Sequence, residues 1–458
     1  MNTFYARTEE KRKISRFLKA DRQGAMLMYG RRRVGKSELL KQCLKEYGKD
    51  SIYYECKETS EINNVNSLSS LIQEKYGLPQ LGFQSVEEVL SFLFKEEKKL
   101  VLVLDEYPYL RTAVKGMDSI LQSVLDEYRN TSSLKLIICG SYVDTMRSLL
   151  EENNPLYGRF DLSIYLKPMD YYDSAMFYDS FSDEDKVRLY SVFGGIPYYN
   201  RLIDPDLTVE ENIIELIASS GARLENEVSM YLRSEISKIT NANEVFEALS
   251  YGYSKYSDIL SQSHVSSSPA LADVLDKLIR MEMISKEAPI NDPKNKKKTG
   301  YYITDNLSSF YYRYIFRYRS QMEVLDPSVF YDRYIRKDFE EQYVPHQFES
   351  VCRQFLIREN KQGKIEPAFD RIGKYYYDDP ANKTNGEFDI VTEDPQGYIF
   401  YEAKFRKEPV TEKMIEEEIR QVDSTGLACR KYGFISRSGF AADERDNRIL
   451  IPLSDLYL

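Results

Sequence analysis

Tryptophan is absent from this 458-residue chain, and histidine occurs only twice, at His264 and His346. Two isolated histidines exclude an H-E-x-x-H zinc protease and a histidine-rich phosphodiesterase centre, and they leave little material for an HNH nuclease. The five cysteines include no C-x-x-C pair, which argues against a zinc knuckle or a disulfide framework. Any metal ion should therefore be a hard cation that is bound by carboxylates.

Long apolar runs are also missing. No stretch reaches the roughly 18 apolar residues that a membrane-spanning helix needs, and the N-terminal segment has acids but no apolar centre of a signal peptide. We expect a cytoplasmic protein with no membrane partner. The formal net charge of −10 repels nucleic acid from the molecule as a whole, so binding of DNA or RNA would need local basic surfaces.

The chain is long enough for two to four domains, at roughly 100–200 residues each. Apolar runs alternate with amphipathic stretches at first, which is typical of an α/β fold with a parallel sheet. The pattern then becomes helical, changes to helices followed by two strands around a polar loop, and ends in a second α/β pattern. The predicted domains are a parallel-sheet domain, 1–165; a helical lid, 166–240; a winged helix, 241–305; a linker helix, 306–334; and a C-terminal α/β domain, 335–458.

A glycine-containing segment, GRRRVGKS, lies between the apolar run AMLMY and the amphipathic segment ELLKQCLKEY. This is the G-x-x-x-x-G-K-[ST] pattern in its required strand–loop–helix context. The glycines let successive backbone N–H groups turn inward, and the helix N-terminus adds a positive dipole, so the segment predicts a phosphate-binding loop. Lys36 is expected to contact the β- and γ-phosphates, and Ser37 to bind Mg²⁺. The loop residues are Gly30, Arg31, Arg32, Arg33, Val34, Gly35, Lys36 and Ser37.

A second apolar run, LVLVL, ends in the two acids Asp105 and Glu106. Because a buried parallel strand brings its carboxyl end to the phosphate side of the sheet, Asp105 is expected to bind Mg²⁺ through water. Glu106 is expected to polarise the attacking water. Ser141, after the run LKLIICG, is either a γ-phosphate sensor or a turn residue. Arg159 is an arginine finger, an internal sensor or an ordinary surface arginine.

These motifs together resemble the archaeal-type P-loop ATPases of the AAA+/STAND class. The segments FYARTEE and GGIP add to the resemblance. It implies that Arg7 belongs to an N-terminal arginine box and that Gly194, Gly195 and Pro197 flank the adenine. It also implies ATP rather than GTP, which agrees with the lack of an N-K-x-D motif near the nucleotide strands.

The segment GEFDIVTEDPQGYIFYEAKFRK predicts a β-hairpin, with the turn residues EDPQG between two apolar strands. If the hairpin is regular, Asp389 lies opposite Glu402, with Cβ atoms about 5 Å apart, and Lys404 projects on the same face. Two carboxylates so close repel each other, and a divalent cation would remove that penalty. The pair therefore predicts a Mg²⁺ or Mn²⁺ site, at which Lys404 orients water or stabilises developing negative charge.

A predicted helix over 345–358 has an apolar face and carries Glu349 beside it, as a candidate third carboxylate ligand. Gln421, on the helix after the lysine strand, is expected to point at the same site. The ordered set resembles the PD-(D/E)xK, or restriction-endonuclease-like, superfamily, apart from Phe388 where that pattern has a proline before Asp389. The resemblance implies a metal-dependent nuclease. The alternative is a surface ion pair, worth about 0–1 kcal/mol.

The polar loop DPKNKKKTG contains Lys294, Lys296, Lys297 and Lys298, which either contact phosphates or are solvated at a hairpin tip. The leading hypothesis is ATP-controlled processing of nucleic acid, with DNA favoured over RNA, by a C-terminal nuclease domain. One alternative is a STAND-type switch whose C-terminal domain only binds, and another is a nucleotide-dependent DNA-binding or loading protein. Each is compatible with a homo-oligomer.

Overall fold

The computed structural model describes residues 4–48, 50–79, 82–95, 99–230, 240–379 and 384–458. The chain divides into two compact units. The first contains the residues up to 168 together with 196–198, and the second contains 169–195 and 199–458. No helix within the described ranges combines the length and the apolar character that crossing a membrane requires.

The first unit is built on a sheet of five parallel strands. They are β1 (Gly24–Tyr29), β2 (Ser51–Glu55), β3 (Val101–Asp105), β4 (Lys135–Gly140) and β5 (Leu162–Tyr165). Their order across the sheet is β2–β3–β4–β1–β5. Strands β1, β3 and β4 are buried along their whole length, which explains their continuous apolar runs. The predicted parallel sheet is confirmed, and β5 is the strand that the sequence did not predict.

Helices surround this sheet, and one short 3₁₀ helix covers Ser148–Leu150. The α-helices are α1 (Thr8–Lys19), α2 (Lys36–Tyr47), α3 (Glu61–Tyr76), α4 (Val86–Lys95), α5 (Tyr107–Ala113), α6 (Met117–Glu127) and α7 (Val143–Arg147). Since β4 lies between β1 and β3, the carboxyl ends of these three strands lie side by side. The segments that follow them therefore meet at one edge of the sheet.

The second unit begins with helices. They are α8 (Tyr171–Ala175), α9 (Asp183–Phe193), α10 (Pro197–Asn200), which starts in the first unit, and α11 (Val209–Leu216). Helix α11 starts at a capping box, in which the side chains of Thr208 and Glu211 each bond the other's backbone N–H. The described part of the segment predicted as a helical lid contains these helices, and the lid assignment stays a prediction. Its residues 231–239 lie outside the described ranges.

The middle of the second unit contains helices and a two-stranded antiparallel sheet. The elements are α12 (Ala242–Ser250), α13 (Tyr256–Gln262), α14 (Ser268–Arg280), β6 (Ile284–Glu287) and β7 (Gly300–Ile303). Their order is the one expected for a winged helix, and that assignment stays a prediction. The elements that follow are α15 (Asn306–Phe310), α16 (Arg319–Val324), α17 (Pro327–Tyr331) and the π-helical segments Tyr311–Phe316, Asp332–Arg336 and Phe339–Tyr343.

A mixed five-stranded sheet forms the C-terminal part. The elements are α18 (Val344–Lys361), β8 (Arg371–Asp379), β9 (Thr384–Asp394), β10 (Gly397–Lys404), β11 (Val410–Thr411), α19 (Glu412–Ser424), β12 (Cys429–Ser436), β13 (Phe440–Ala441), β14 (Arg448–Pro452) and the 3₁₀ helix Leu453–Tyr457. The sheet has the order β14–β12–β10–β9–β8, and the short strands β11 and β13 pair separately. Strands β8 to β10 are antiparallel, whereas β10, β12 and β14 are parallel.

Helix α18 packs against β10, and its buried residues are Val344 and the five residues of the predicted apolar face. That part of the prediction is confirmed by Phe348, Val351, Cys352, Phe355 and Leu356. Helix α19 packs against β12, and Ile415 and Val422 of α19 join an apolar cluster with side chains of the sheet. The helices therefore bury their apolar sides against the sheet.

Gly195 provides a test of the packing in the second unit. A Cβ atom at this position would lie 1.9 Å from the carbonyl oxygen of Met169, whose N–H donates to the Gly195 carbonyl at 2.8 Å. The atoms that this Cβ would meet are backbone atoms of Met169, so the clash cannot be relieved by a rotating side chain. Gly195→Ala should lower the free energy of unfolding by about 1–3 kcal/mol, measured by urea denaturation. Gly82→Ala, where a Cβ meets nothing within 4 Å, is the control and should change it by less than about 0.5 kcal/mol.

Candidate functional site

The predicted phosphate loop connects β1 to α2, and its shape requires glycine at Gly30. A Cβ atom there would lie 2.3 Å from the carbonyl oxygen of Leu166. Gly35, with φ of 95°, is the residue from which α2 begins. The N-terminus of a twelve-residue helix therefore opens directly onto the loop, where its N–H groups favour an anion.

Lys36 is buried at the start of α2. Its Nζ donates to the carbonyl oxygens of Gly30 at 2.7 Å and Arg31 at 3.0 Å. Burial lowers the pKa of Lys36, although the nearby acids Asp105 and Glu106 oppose that change. The ammonium group therefore lies inside the curve of the loop, where phosphate oxygens would be better partners than neutral carbonyls.

Asp105, at the end of β3, accepts hydrogen bonds from two hydroxyl groups. The Ser37 hydroxyl donates to Oδ2 at 2.7 Å, and the Tyr53 hydroxyl donates to the same oxygen. Burial would raise the pKa of Asp105, but these hydrogen bonds outweigh it and hold the pKa below its ordinary value. A hydroxyl and a carboxylate at this separation are the hard oxygen ligands that Mg²⁺ prefers, so these residues fit the predicted metal.

Glu106 lies next along the chain and contacts the end of β4. The Ser141 hydroxyl donates to Glu106 Oε2 at 2.8 Å, and the Ser141 N–H donates to the same oxygen at 3.3 Å. The backbone of Glu106 is left-handed, with φ of 50°, which is rare outside glycine and costs energy. The chain therefore holds this carboxylate in a fixed direction beside Ser141.

Arg7 and Pro197 lie against the phosphate loop, although both are distant from it in sequence. The buried Arg7 guanidinium donates to the carbonyl oxygens of Val34 at 3.4 Å and Lys167 at 2.7 Å. The Pro197 ring lies 3.9 Å from the position of a Cβ on Gly35. The structure therefore brings both predicted residues to this edge of the sheet, whereas Gly194 and Gly195 belong to the second unit.

Arg159 is elsewhere, and of its three predicted roles the position does not fit an internal sensor but does fit an ordinary surface arginine. Its guanidinium contacts the Asp126 carboxylate at 2.8 Å and the Pro155 carbonyl at 2.8 Å. Nearby, Asp161 accepts from the N–H of Ala25, at the amino end of β1. The phosphate loop follows the other end of that strand, roughly 16 Å away. Arg159 is a surface ion-pair residue in this chain.

In the second unit, the predicted hairpin is regular only as far as the pair Tyr401 and Ile390. On the other side, Gly373 of β8 pairs with Val391 of β9, and Tyr375 pairs with Phe388. Between these two pairs, β8 advances by two residues and β9 by three. This is a β-bulge between β8 and β9. It lies beside the point where the pairing of β9 with β10 stops, one position before Asp389 would face Glu402.

The bulge is accompanied by a different partner for Asp389. Lys374 Nζ donates to Asp389 Oδ1 at 2.6 Å and to Glu387 Oε1 at 3.1 Å, and Lys255 contacts the other Glu387 oxygen at 3.1 Å. Burial would lower the pKa of Lys374, but the charge of Asp389 outweighs it and raises the pKa. A lysine that the sequence reasoning missed thus neutralises the first predicted metal ligand.

Glu402 and Lys404 contact each other, as expected for neighbours on one face of β10. Lys404 Nζ lies 2.6 Å from Glu402 and also contacts Glu418 of α19 at 2.8 Å. Burial raises the pKa of Glu402 to about 7, in opposition to the charge of Lys404. The charge of Asp389 adds only a smaller increase. Glu402 therefore changes its charge near neutral pH.

The other two predicted members of the metal site have other partners. Glu349 contacts His346 Nδ1 at 3.2 Å, and Gln421 donates to the hydroxyl of Tyr377 at 3.2 Å. The prediction that Gln421 points at the acid–lysine pair is wrong, because Glu418, three residues earlier, has that place. Among the described residues, no three histidine, cysteine or acidic side chains are gathered as metal ligands. The predicted three-carboxylate site is therefore not assembled.

Three residues at these sites were missed by the sequence reasoning, and two of them leave a signal. Glu418 lies three positions after Ile415, so the periodicity of α19 places it towards the sheet. Tyr53 lies two positions before Glu55, which pairs with Asp105 on the neighbouring strand. Lys374 has no such signal, because its contact depends on the bulge.

Two family models match the chain. Residues 4–202 match the model of an ATPase domain predominantly from Archaea. Residues 311–421 match a model described as archaeal and bacterial proteins of unknown function. The chain therefore contains an ATPase domain, and the predicted resemblance to archaeal P-loop ATPases is confirmed at that level. The resemblance to the restriction-endonuclease-like superfamily stays a prediction.

Similar proteins are found in archaea. An uncharacterised protein of Methanocaldococcus jannaschii is 26% identical over 458 residues, which is 99% of each chain. An uncharacterised ATP-binding protein of the same organism is 25% identical over 175 residues, covering 33% of this chain and 47% of that protein. A solved Walker-type ATPase of Pyrococcus abyssi has 22% identity and a TM-score of 0.50, covering 68% of this chain and 96% of its own. This last similarity supports the fold.

The raised pKa of Glu402 predicts a pH dependence of stability in metal-free buffer. Because the pKa is about 7 in the folded state and roughly 4.3 in an unfolded chain, the folded state binds the proton more tightly. The resulting stabilisation is present at low pH and is lost as the pH rises through 7. Between pH 5 and pH 8, wild type should lose roughly 2 kcal/mol of unfolding free energy relative to Glu402→Gln, measured by urea denaturation.

The control for this measurement is Glu417→Gln, which alters an exposed acid on the same helix as Glu418. Its difference from wild type should be the same at both pH values. A Glu402→Gln variant that also follows wild type at both pH values would show that Glu402 has an ordinary pKa.

Proposed function

We propose that the first unit binds and hydrolyses ATP with Mg²⁺, and that nucleotide turnover acts as a switch for the second unit. The observation that carries the proposal is the 2.7 Å hydrogen bond between Ser37 and Asp105, next to the buried Lys36 and the helix N-terminus. An oxygen ligand pair, an ammonium group and a set of N–H donors are what a metal-bound triphosphate requires.

Each residue has a role in this proposal. Lys36 contacts the β- and γ-phosphates, and Ser37 and Asp105 are the residues that would hold the metal ion. Mg²⁺ would supply charge neutralisation of the phosphates. Glu106 accepts the proton of the attacking water, and Ser141 keeps that carboxylate in place through the 2.8 Å hydrogen bond. Pro197 flanks the adenine, and Arg7 holds the loop through Val34.

Two substitutions separate binding from hydrolysis. Lys36→Ala should weaken ATP binding at least about 10-fold, because it removes the charge that faces the phosphates. Glu106→Gln should keep ATP affinity but lower the hydrolysis rate by about 10²–10⁴-fold, because an amide cannot accept the proton. Binding is measured with a fluorescent ATP analogue, and hydrolysis by phosphate release.

Lys45→Ala, at an exposed lysine in the last turn of α2, is the matched control and should leave both quantities unchanged. Full hydrolysis by Glu106→Gln would reject Glu106 as the base. ATP binding by Lys36→Ala at wild-type affinity would reject the site.

A second candidate function belongs to the C-terminal sheet. Its elements α18, β8, β9, β10, α19 and β12 follow the order that the resemblance to PD-(D/E)xK nucleases predicts. Asp389, Glu402 and Lys404 occur on two neighbouring strands, in support of a Mg²⁺- or Mn²⁺-dependent nuclease that acts on DNA in preference to RNA. The arrangement does not fit a bound metal as it stands, because Lys374 and Lys404 occupy the carboxylates.

The closed lysine–carboxylate pairs favour the alternative, in which the second unit binds nucleic acid without cutting it. The loop of the predicted winged helix supports a binding role only in part. Lys298 packs on the Tyr376 ring at 3.8 Å and pairs with Asp292 at 3.4 Å. Lys294, Lys296 and Lys297 remain exposed for contact with phosphates.

Cleavage of labelled DNA, with ATP and Mn²⁺, distinguishes these two possibilities. If the second unit is a nuclease, Asp389→Asn and Lys404→Ala should each lower the cleavage rate by about 100-fold or more, because each removes a group next to the reacting phosphate. Lys413→Ala, an exposed lysine on α19, is the matched control. If wild type binds DNA but does not cleave it, the nuclease function is rejected, and the alternative in which the second unit only binds nucleic acid remains.

A further inference from the structure

Arg32 has a distinctive position in the phosphate loop. Its Nη2 donates to the hydroxyl of Tyr109 at 3.2 Å and to the hydroxyl of Tyr142 at 3.1 Å. The guanidinium carbon also lies 5.4 Å from the centre of the Tyr142 ring. The side chain is therefore held by two aromatic residues on the side of the loop that faces β3 and β4.

These tyrosines come from the two segments that carry the candidate catalytic groups. Tyr109 lies one turn after Glu106, at the start of α5, and Tyr142 directly follows Ser141. Glu106 and Ser141 are themselves joined by the 2.8 Å hydrogen bond. Arg32 thus connects the phosphate loop to the place where Ser141 contacts Glu106, the proposed proton acceptor.

The charge of Arg32 also acts on Lys36. Burial is the main cause of the lowered pKa of Lys36, and the positive charge of Arg32 lowers that pKa further. Two cations of one loop are therefore close enough to repel each other. That repulsion is relieved by a ligand with several negative charges, such as the β- and γ-phosphates of ATP.

We propose that Arg32 is a catalytic arginine that acts in cis, by contacting the γ-phosphate oxygens in the transition state of ATP hydrolysis. The proposal rests on the proposed ATPase function and adds a role that neither the loop pattern nor Arg159 supplies. Arginine suits this role because its planar fork of donors matches phosphate oxygens, and the two tyrosine hydroxyls hold that fork in place before the reaction.

The reaction balances as a hydrolysis. The oxygen of water forms a bond to the γ-phosphorus while the bond from that phosphorus to the β,γ-bridging oxygen breaks. ADP leaves with the electron pair, and the proton of water passes to Glu106 and then to solvent. Arg32 stabilises the negative charge on the γ-oxygens during this step, which for arginine residues in other phosphoryl-transfer enzymes accelerates the reaction about 10³–10⁵-fold.

The test compares full-length wild type with Arg32→Ala and Arg32→Lys in single-turnover ATP hydrolysis. Arg32→Ala should lower the rate by about 100-fold or more, while its Kd for ATP changes by less than about 3-fold. Arg32→Lys should recover little of the rate, because an ammonium group lacks the planar fork. Arg129→Ala, at an exposed arginine in the same unit, is the matched control and should hydrolyse ATP at the wild-type rate.

A second measurement separates catalysis from a structural role. Arg32→Ala should bind ADP with aluminium fluoride, which imitates the transferring phosphoryl group, at least about 10-fold more weakly than wild type, with unchanged affinity for ADP alone. An equal loss of affinity for both ligands would show that Arg32 only shapes the loop, and would overturn the proposal. So would a wild-type hydrolysis rate in Arg32→Ala. If wild type itself does not hydrolyse ATP, the proposed ATPase function fails, and this role fails with it.

Discussion

The geometry of the nucleotide site depends on how one buried carboxylate, that of Asp105, is compensated. A carboxylate without partners in a buried position would cost several kcal/mol. Here Ser37 and Tyr53 donate to the same oxygen, one from the start of α2 and the other from β2. The charge of Asp105 therefore fixes α2 and β2 relative to β3. Glu106, the next residue along the chain, is positioned by the same contacts.

The second unit compensates its acids in a different way. Asp389 and Glu402 are neutralised by ammonium groups, those of Lys374 and Lys404, and Glu418 shares the second of them. The hydroxyl groups around Asp105 leave its negative charge in place for a cation to use. The lysines of the second unit already provide the cation. The carboxylate of Asp105 is thus available to a metal ion, whereas the carboxylates of Asp389 and Glu402 are already paired with lysines. The geometry therefore supports the ATPase proposal better than the nuclease proposal.

The sequence was sufficient where chemistry is encoded over a few consecutive residues. The loop from Gly30 to Ser37, the acids after β3 and the apolar face of α18 could all be read from local patterns. The predictions that were wrong concern contacts that depend on tertiary geometry. The bulge beside Asp389 lies between β8 and β9, and the sequence pattern of the β9–β10 hairpin could not reveal it. Gln421 and Glu418 lie less than one helical turn apart on α19, so the periodicity of the helix did not decide between them. Arg159 follows β4 in sequence, but it lies near the amino ends of the parallel strands, away from the phosphate loop.

The path of the chain has a consequence for attempts to separate the two units. The polypeptide leaves the first unit after residue 168, returns for residues 196–198 and leaves again. That short return contains the buried Ile196, and Pro197 beside Gly35. A fragment that stops at 168 would therefore lack part of its own nucleotide-binding unit, so exchange of the C-terminal half between related proteins can preserve that unit only if the junction falls beyond residue 198.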